Sequence, residues 1–377
     1  MSIDDPLTLL GGLTAAQFMR RHWQRKPLLV RGAIPGIKPL LDRKRLFQLA
    51  QRDEVESRLV ARDKGNHWRI QSGPFGPRAL PPLSRPGWTL LVQGMDLHQP
   101  EVARLMRQFR FVPEARLDDV MISWASDTGG VGPHFDSYDV FLLQVEGRRR
   151  WRIGRSNDLS LRTDVPLKIL EHFEPETEWV LEPGDMLYLP PRYAHDGIAE
   201  GACQTYSIGL RAPSRGELAR ELLQRVSDDA LDQAGNGLYR DAGQLATTEP
   251  GAIPAALQSF ARDAVADALR TPMVLDRALG EYLSEPKPNV WFDVRPAPST
   301  LRGVTLDART RMLYDDRHVY VNGESWEASG RDATLMRRLA NQRQLGARDL
   351  ARATDAARGL LISWCEAGWL QEGTVQP

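Results

Sequence analysis

The chain has 377 residues, 42% of them hydrophobic, with 49 basic and 49 acidic side chains and a formal net charge of zero. That length allows two or three domains around a substantial core, and the charge balance excludes a global field that would draw in nucleic acid or membrane. Its only cysteines, Cys203 and Cys365, lie far apart, which excludes a disulfide framework or a structural zinc site. With no cationic leader pattern in Met1–Leu13 and no bilayer-length apolar run, the expectation is a soluble cytoplasmic protein.

A first domain is predicted over residues 1–212. A short helix around Ala15–Trp23 precedes Lys26-Pro27-Leu28-Leu29-Val30-Arg31-Gly32, which reads as a strand. Further short apolar runs follow at Trp88–Gly94, Val120–Trp124, Val140–Val145, Arg150–Ile153, Met186–Leu189 and Gln204–Leu210, each bounded by turn-forming residues. Many short strands of this kind predict a sandwich or barrel.

Over residues 213–285 the pattern turns helical. Ser214 and Glu217 have capping-box spacing, and Leu218, Leu222, Leu223 and Val226 recur at helical intervals; a second stretch carries Leu257, Phe260, Ala264 and Leu269. Asp228–Thr248 between them reads as a loop. So few helices bury little alone, so they are expected to pack on the barrel or on a second copy of the chain. Pro286, Pro288, Pro296 and Pro298 then mark a boundary. In residues 286–377, His318–Trp326 contains Asn322-Gly323, the pair suited to a type I′ hairpin turn. Helical patterns near Leu335–Leu339 and Ala356–Trp369 complete a winged-helix-like domain.

The chemistry concentrates in the first domain. His134 and Asp136 stand two apart, so in an extended strand both point to one face. His195 follows Pro183-Gly184-Asp185 and Pro190-Pro191 and supplies a third ligand. Two imidazoles and a carboxylate on one face make the facial triad of a non-haem Fe(II) oxygenase, with positions open for a cosubstrate and O2. The remaining histidines (His22, His67, His98, His172 and His318) read as surface or packing residues. A 2-oxoglutarate cosubstrate needs a cation for its far carboxylate. In Gly147-Arg148-Arg149-Arg150-Trp151-Arg152-Ile153, residues 149, 151 and 153 share a face; the apolar pair marks it as inward, so Arg149 is the arginine drawn into the barrel.

With these residues in place, the chain resembles the bacterial JmjC-type ribosomal oxygenases, the ribosomal protein arginine hydroxylases. The resemblance covers nearly the whole chain, including His22–Pro27, Ser57–Val60, Gly73–Phe75, Asp118–Ser123, Val131–His134, Gly147–Trp151, Glu182–Asp185 and Arg211–Pro213. It implies an α+β protein: a double-stranded β-helix (jelly roll), a helical dimerisation segment giving a homodimer, and a C-terminal winged helix. It also implies Fe(II), 2-oxoglutarate and O2 as cofactor and cosubstrates. The implied reaction hydroxylates an arginine of a large-subunit ribosomal protein at Cβ. His134, Asp136 and His195 match the family's iron ligands, and Arg149 matches its 2-oxoglutarate anchor. Ser123 and Ser207 add hydrogen bonds there, while Asp118, facing a guanidinium, and Tyr138 contact substrate. Ala125 and Thr205 depart from the family pattern, and neither touches the triad.

Three other readings compete. The oxygenase could act on another protein residue, such as a histidine or a histone lysine. The chain could be a nucleic-acid-binding regulator with a cupin sensor, a reading that leans on Arg331, Arg337, Arg338, Arg343, Arg348 and Arg352. It could also be a metal-free structural cupin. The acidic stretch Glu171–Glu178 is either a docking patch for a basic ribosomal protein or a solvated loop.

Overall fold

The computed structural model describes residues 3–63 and 67–373. The chain divides into two compact units, meeting between Ala212 and Pro213. In the first, nine strands form one antiparallel sheet: β1 (Leu28–Val30), β2 (Ser57–Arg62), β3 (Trp68–Ser72), β4 (Trp88–Val92), β5 (Leu117–Ala125), β6 (Asp139–Gly154), β7 (Thr177–Leu181), β8 (Met186–Leu189) and β9 (Ala194–Leu210). Their order is β1-β8-β6-β9-β5-β4-β2-β3, with β7 added to β6. Helices α1 (Ala15–Arg21), α2 (Arg43–Leu49), α3 (Met95–His98) and α4 (Pro100–Arg107) accompany it.

Alternation along β5 shows how the sheet separates its two duties. Val120, Ile122 and Trp124 enter the apolar core with Phe18, Phe109, Phe141 and Tyr188. Asp119, Met121 and Ser123, one residue out of phase, line a cavity.

The runs predicted separately at 140–145 and 150–153 belong to a single strand. β6 pairs with β9 along nearly its whole length, and the register shifts between Gln144, Glu146 and Arg148. At this bulge Gly147 has φ +64°, and a Cβ there would lie 2.2 Å from the carbonyl oxygen of Ala202. Only glycine fits so close an approach. The residue that signals a turn is therefore a corner inside one strand. Beyond it Arg149, Trp151 and Ile153 are all buried, at 4%, 5% and 2% exposure, so the predicted inward face is the observed one.

The second unit opens with α5 (Arg215–Ala234), and both halves of its capping box form: Ser214 Oγ accepts from Glu217 N at 3.1 Å, and Glu217 Oε2 accepts from Ser214 N at 3.4 Å. The helix runs into the stretch predicted as loop, while 235–254 contains no helix or strand. α6 (Ala255–Ala268) and α7 (Pro272–Ser284) follow. Two three-stranded sheets come next, one of β10 (Val304–Leu306), β14 (Gln344–Leu345) and β15 (Leu370–Glu372), the other of β11 (Met312–Tyr314), β12 (His318–Val321) and β13 (Glu324–Glu327). α8 (Gly330–Gln342), α9 (Ala347–Leu350) and α10 (Asp355–Glu366) complete the unit. Asn322 and Gly323 have φ of 52° and 91°, the positive pair that the predicted type I′ turn requires.

Across the proline-bearing stretch, α7 packs on the hairpin of β12 and β13. Tyr320 lies so close over Gly280 that a Cβ there would be 2.2 Å from the ring, and Ser325 Oγ donates to Glu281 Oε1 at 2.6 Å.

Half of the basic set of the second unit is occupied internally. Arg343 is buried and donates to the carbonyls of Asp307 and Thr310, Arg337 donates to those of Asp315 and Asp316, and Arg338 pairs with Asp349 at 3.1 Å. That weakens the nucleic-acid reading, since a reader must present its cations to the groove. Among the described residues, no helix is long and apolar enough to cross a membrane.

Candidate active site

His134 and His195 face each other across an isolated antiparallel bridge, with N–O distances of 2.9 and 2.8 Å. The extended strand expected around His134 is thus a single rung. Asp136 Oδ2 lies 3.6 Å from His195 Nε2. Ligand atoms of His134, Asp136 and His195 all fall within 4.8 Å of one another, the one such group of metal-ligating side chains among the described residues.

Each imidazole is aimed by its own backbone. His134 Nδ1 bonds the carbonyl of Gly132 at 2.9 Å, and His195 Nδ1 bonds that of Tyr193 at 2.9 Å. A carbonyl can only accept, so both Nδ1 atoms carry the proton and both Nε2 lone pairs are left for a metal. His195 is fully enclosed, and burial, followed by the neighbouring His134 ring, pushes its pKa down to about 4. The ring is therefore neutral near pH 7, as ligation requires.

Arg149 completes the inner end of the cavity. Its guanidinium donates to Ser123 Oγ at 3.1 Å, Thr205 Oγ1 at 3.4 Å and the carbonyl of Gly197 at 3.3 Å, and lies 5.2 Å from the Trp151 ring centre. None of these partners is a carboxylate, and its buried Nε has no partner. A buried cation without a counter-ion is costly; the missing anion matches the distal carboxylate of 2-oxoglutarate. The triad and Arg149 line one cavity of about 440 Å³, which also includes Ser123, Ser207 and Tyr138. The donor set and the orphaned guanidinium nitrogen together fit an Fe(II) and 2-oxoglutarate site.

Asp118 is placed differently from the sequence expectation. A bulge sets Asp118 and Asp119 opposite Gly209, and it is Asp119 that lines the cavity. One inserted residue moves the carboxylate from one strand face to the other. Tyr138 stands at the mouth, 39% exposed, and its hydroxyl is held well above the ordinary tyrosine range by burial, then by Asp136 and Asp119. Thr205, read from sequence only as a departure, touches Arg149 and donates to Gln144 Oε1 at 2.8 Å. Alternation through Thr205 and Ser207 was the available signal for it. The acidic stretch 171–178 is partly consumed: Glu178 pairs with Arg150, and Glu176 accepts from Tyr193 at 3.1 Å.

Comparison with known proteins accords with this geometry. Residues 104–218 match the JmjC domain model, and residues 263–371 match the ROXA-like winged helix. The ribosomal protein uL16 3-hydroxylase of Escherichia coli is 33% identical over 84% of this chain and 86% of its own length. The chain belongs to the JmjC-domain ribosomal oxygenase family. Its fold is accordingly the JmjC jelly roll with a winged helix, as the sequence led one to expect. The X-ray structure of E. coli YcfD superposes with a TM-score of 0.85 at 29% identity, covering 96% of this chain and 98% of that one. A structure of YcfD, a ribosomal oxygenase from E. coli in complex with cobalt and 2-oxoglutarate, matches with a TM-score of 0.79 at 30% identity, covering 95% and 98%.

Proposed function

We propose that this ribosomal oxygenase uses Fe(II) and 2-oxoglutarate to hydroxylate Cβ of an arginine in the large-subunit ribosomal protein uL16. The observation that carries the cosubstrate is the buried Arg149, without a counter-ion among the described residues, in one cavity with the His134, Asp136 and His195 triad. When bound, Fe(II) with 2-oxoglutarate and O2 supplies the hydroxylating oxidant, and succinate and CO2 are the co-products. The chain's own residues do the rest. His134, Asp136 and His195 hold the metal, with Nδ1–H bonds fixing both rings. Arg149, braced by Ser123 and Thr205, holds the far carboxylate; Ser207 adds a hydroxyl to the same wall. Trp151, Val140 and Leu142 supply apolar walls that exclude water.

Substrate choice rests on the mouth. Tyr138 stands there, and Asp119 and Asp136, which both act on its hydroxyl, line the same cavity, so a cationic guanidinium is favoured over a neutral imidazole. Asp118, on the same bulge, adds charge. The test is mass spectrometry of a synthetic uL16 segment incubated with Fe(II)-loaded protein, 2-oxoglutarate and O2. A +16 Da arginine is expected; a modified histidine, or an unmodified segment, would sink the assignment.

We also propose that the chain is a homodimer. Leu223, Leu231 and Val265 on α5 and α6 are 53%, 73% and 61% exposed, apolar side chains that a second copy of the chain would cover. Light scattering should give twice the 42.4 kDa chain mass; a monomer at micromolar concentration would refute this. The division into a catalytic domain (1–212), a dimerisation segment (213–285) and a winged-helix domain (286–377) goes with that proposal. A cytoplasmic location does too, since a ribosomal protein would be the substrate.

A further inference from the structure

A second arginine faces the cavity. The ladder places Arg58 in a row across the sheet: Arg58 beside Leu91, Leu91 beside Ser123, Ser123 beside Thr205. All four line the cavity. Arg149 occupies the Ser123–Thr205 end of that row. Two strand spacings of about 4.8 Å each separate Arg58 from Ser123, so the two guanidinium groups serve different parts of the cavity floor.

Arg58 is half-buried, its Nε is buried without a partner, and among the described residues no carboxylate pairs with it. Its contact is with Gln93, another lining residue: with the Gln93 amide turned so that its nitrogen donates to Glu56, its oxygen accepts from Arg58 at 3.3 Å. Most of the five donors of the guanidinium fork are thus unspent, and leaving them so in a partly desolvated wall is unfavourable unless a ligand brings acceptors. Asp119, Asp136 and Lys168 line the same cavity, and the carboxylate that the cavity takes is assigned to Arg149. An uncharged peptide carbonyl is the acceptor left for Arg58.

We infer that Arg58 positions the polypeptide substrate, donating to main-chain carbonyl oxygens beside the residue to be hydroxylated while the acidic side of the mouth receives that residue's side chain. This rests on the polypeptide-substrate reading above. The experiment compares wild type with Arg58→Gln and Arg58→Met on the uL16 segment. A second segment has every Asp and Glu replaced by Asn and Gln. The expected result is a KM for the segment raised at least about tenfold in both variants, as loss of charge-assisted hydrogen bonds implies, with a larger effect on KM than on kcat. The 2-oxoglutarate Kd should be unchanged, and wild type should bind both segments equally. A KM within twofold of wild type overturns the inference, as does an equal loss of 2-oxoglutarate affinity. Wild type binding the neutralised segment as weakly as the variants do also overturns it, because a carboxylate would then be the true partner. Wild type that hydroxylates neither segment overturns the substrate reading and this inference together.

Discussion

His134→Ala is expected to abolish both metal retention and succinate formation while leaving the barrel folded. The side chain supplies one of three ligand atoms gathered within 4.8 Å, and neither Asp136 nor His195 can replace it. Removing only an outer partner of a ligand costs about 10- to 100-fold in affinity or activity, so losing the ligand itself should exceed about 100-fold. In the metal-free protein the substitution gives up one bond, from Nδ1 to the Gly132 carbonyl, worth about 1 kcal/mol. Metal content after desalting, succinate yield and a melting curve separate these effects. A mutant that keeps iron and turnover would overturn the ligand assignment.

Arg149→Met should act on the cosubstrate alone. Truncating one member of a buried, hydrogen-bonded charge pair costs about 2–5 kcal/mol, and each 1.4 kcal/mol is tenfold. The 2-oxoglutarate Kd should therefore weaken by about 30-fold or more, with metal binding retained. The ligand-free variant should be no less stable than wild type, because the wild-type guanidinium has an orphaned Nε and no counter-ion among the described residues. A variant that binds 2-oxoglutarate within threefold of wild type would remove Arg149 from the site.

The parts legible in the sequence were those governed by strict periodicity. Alternation through Arg149, Trp151 and Ile153 fixes an inward face wherever that strand lies, and Asn322-Gly323 permits few turns. The triad was legible because metal ligands have so few alternatives. What failed to show is what depends on contacts distant in sequence. Nothing local distinguishes Gly147 as a corner from Gly147 as a turn; the carbonyl of Ala202 does that. Asp118 and Asp119 look interchangeable until the bulge against Gly209 sets them apart. Thr205 gained its meaning only when Arg149 reached it. Arg58 lay in a stretch whose strand partners, Ser72 and Leu91, no pattern announces.

β6 and β9 pair along nearly their whole length, although residues 155–193 lie between them. No fragment shorter than 134–195 contains the three ligands, and the β6–β9 ladder, which sets Ile153 opposite His195, holds His195 where its bridge to His134 forms. The centre is thus a property of high contact order: its loop must close, at an entropic cost, before any ligand set exists. Bound iron therefore serves as a topological marker, separating chains that have completed this pairing from those that have not.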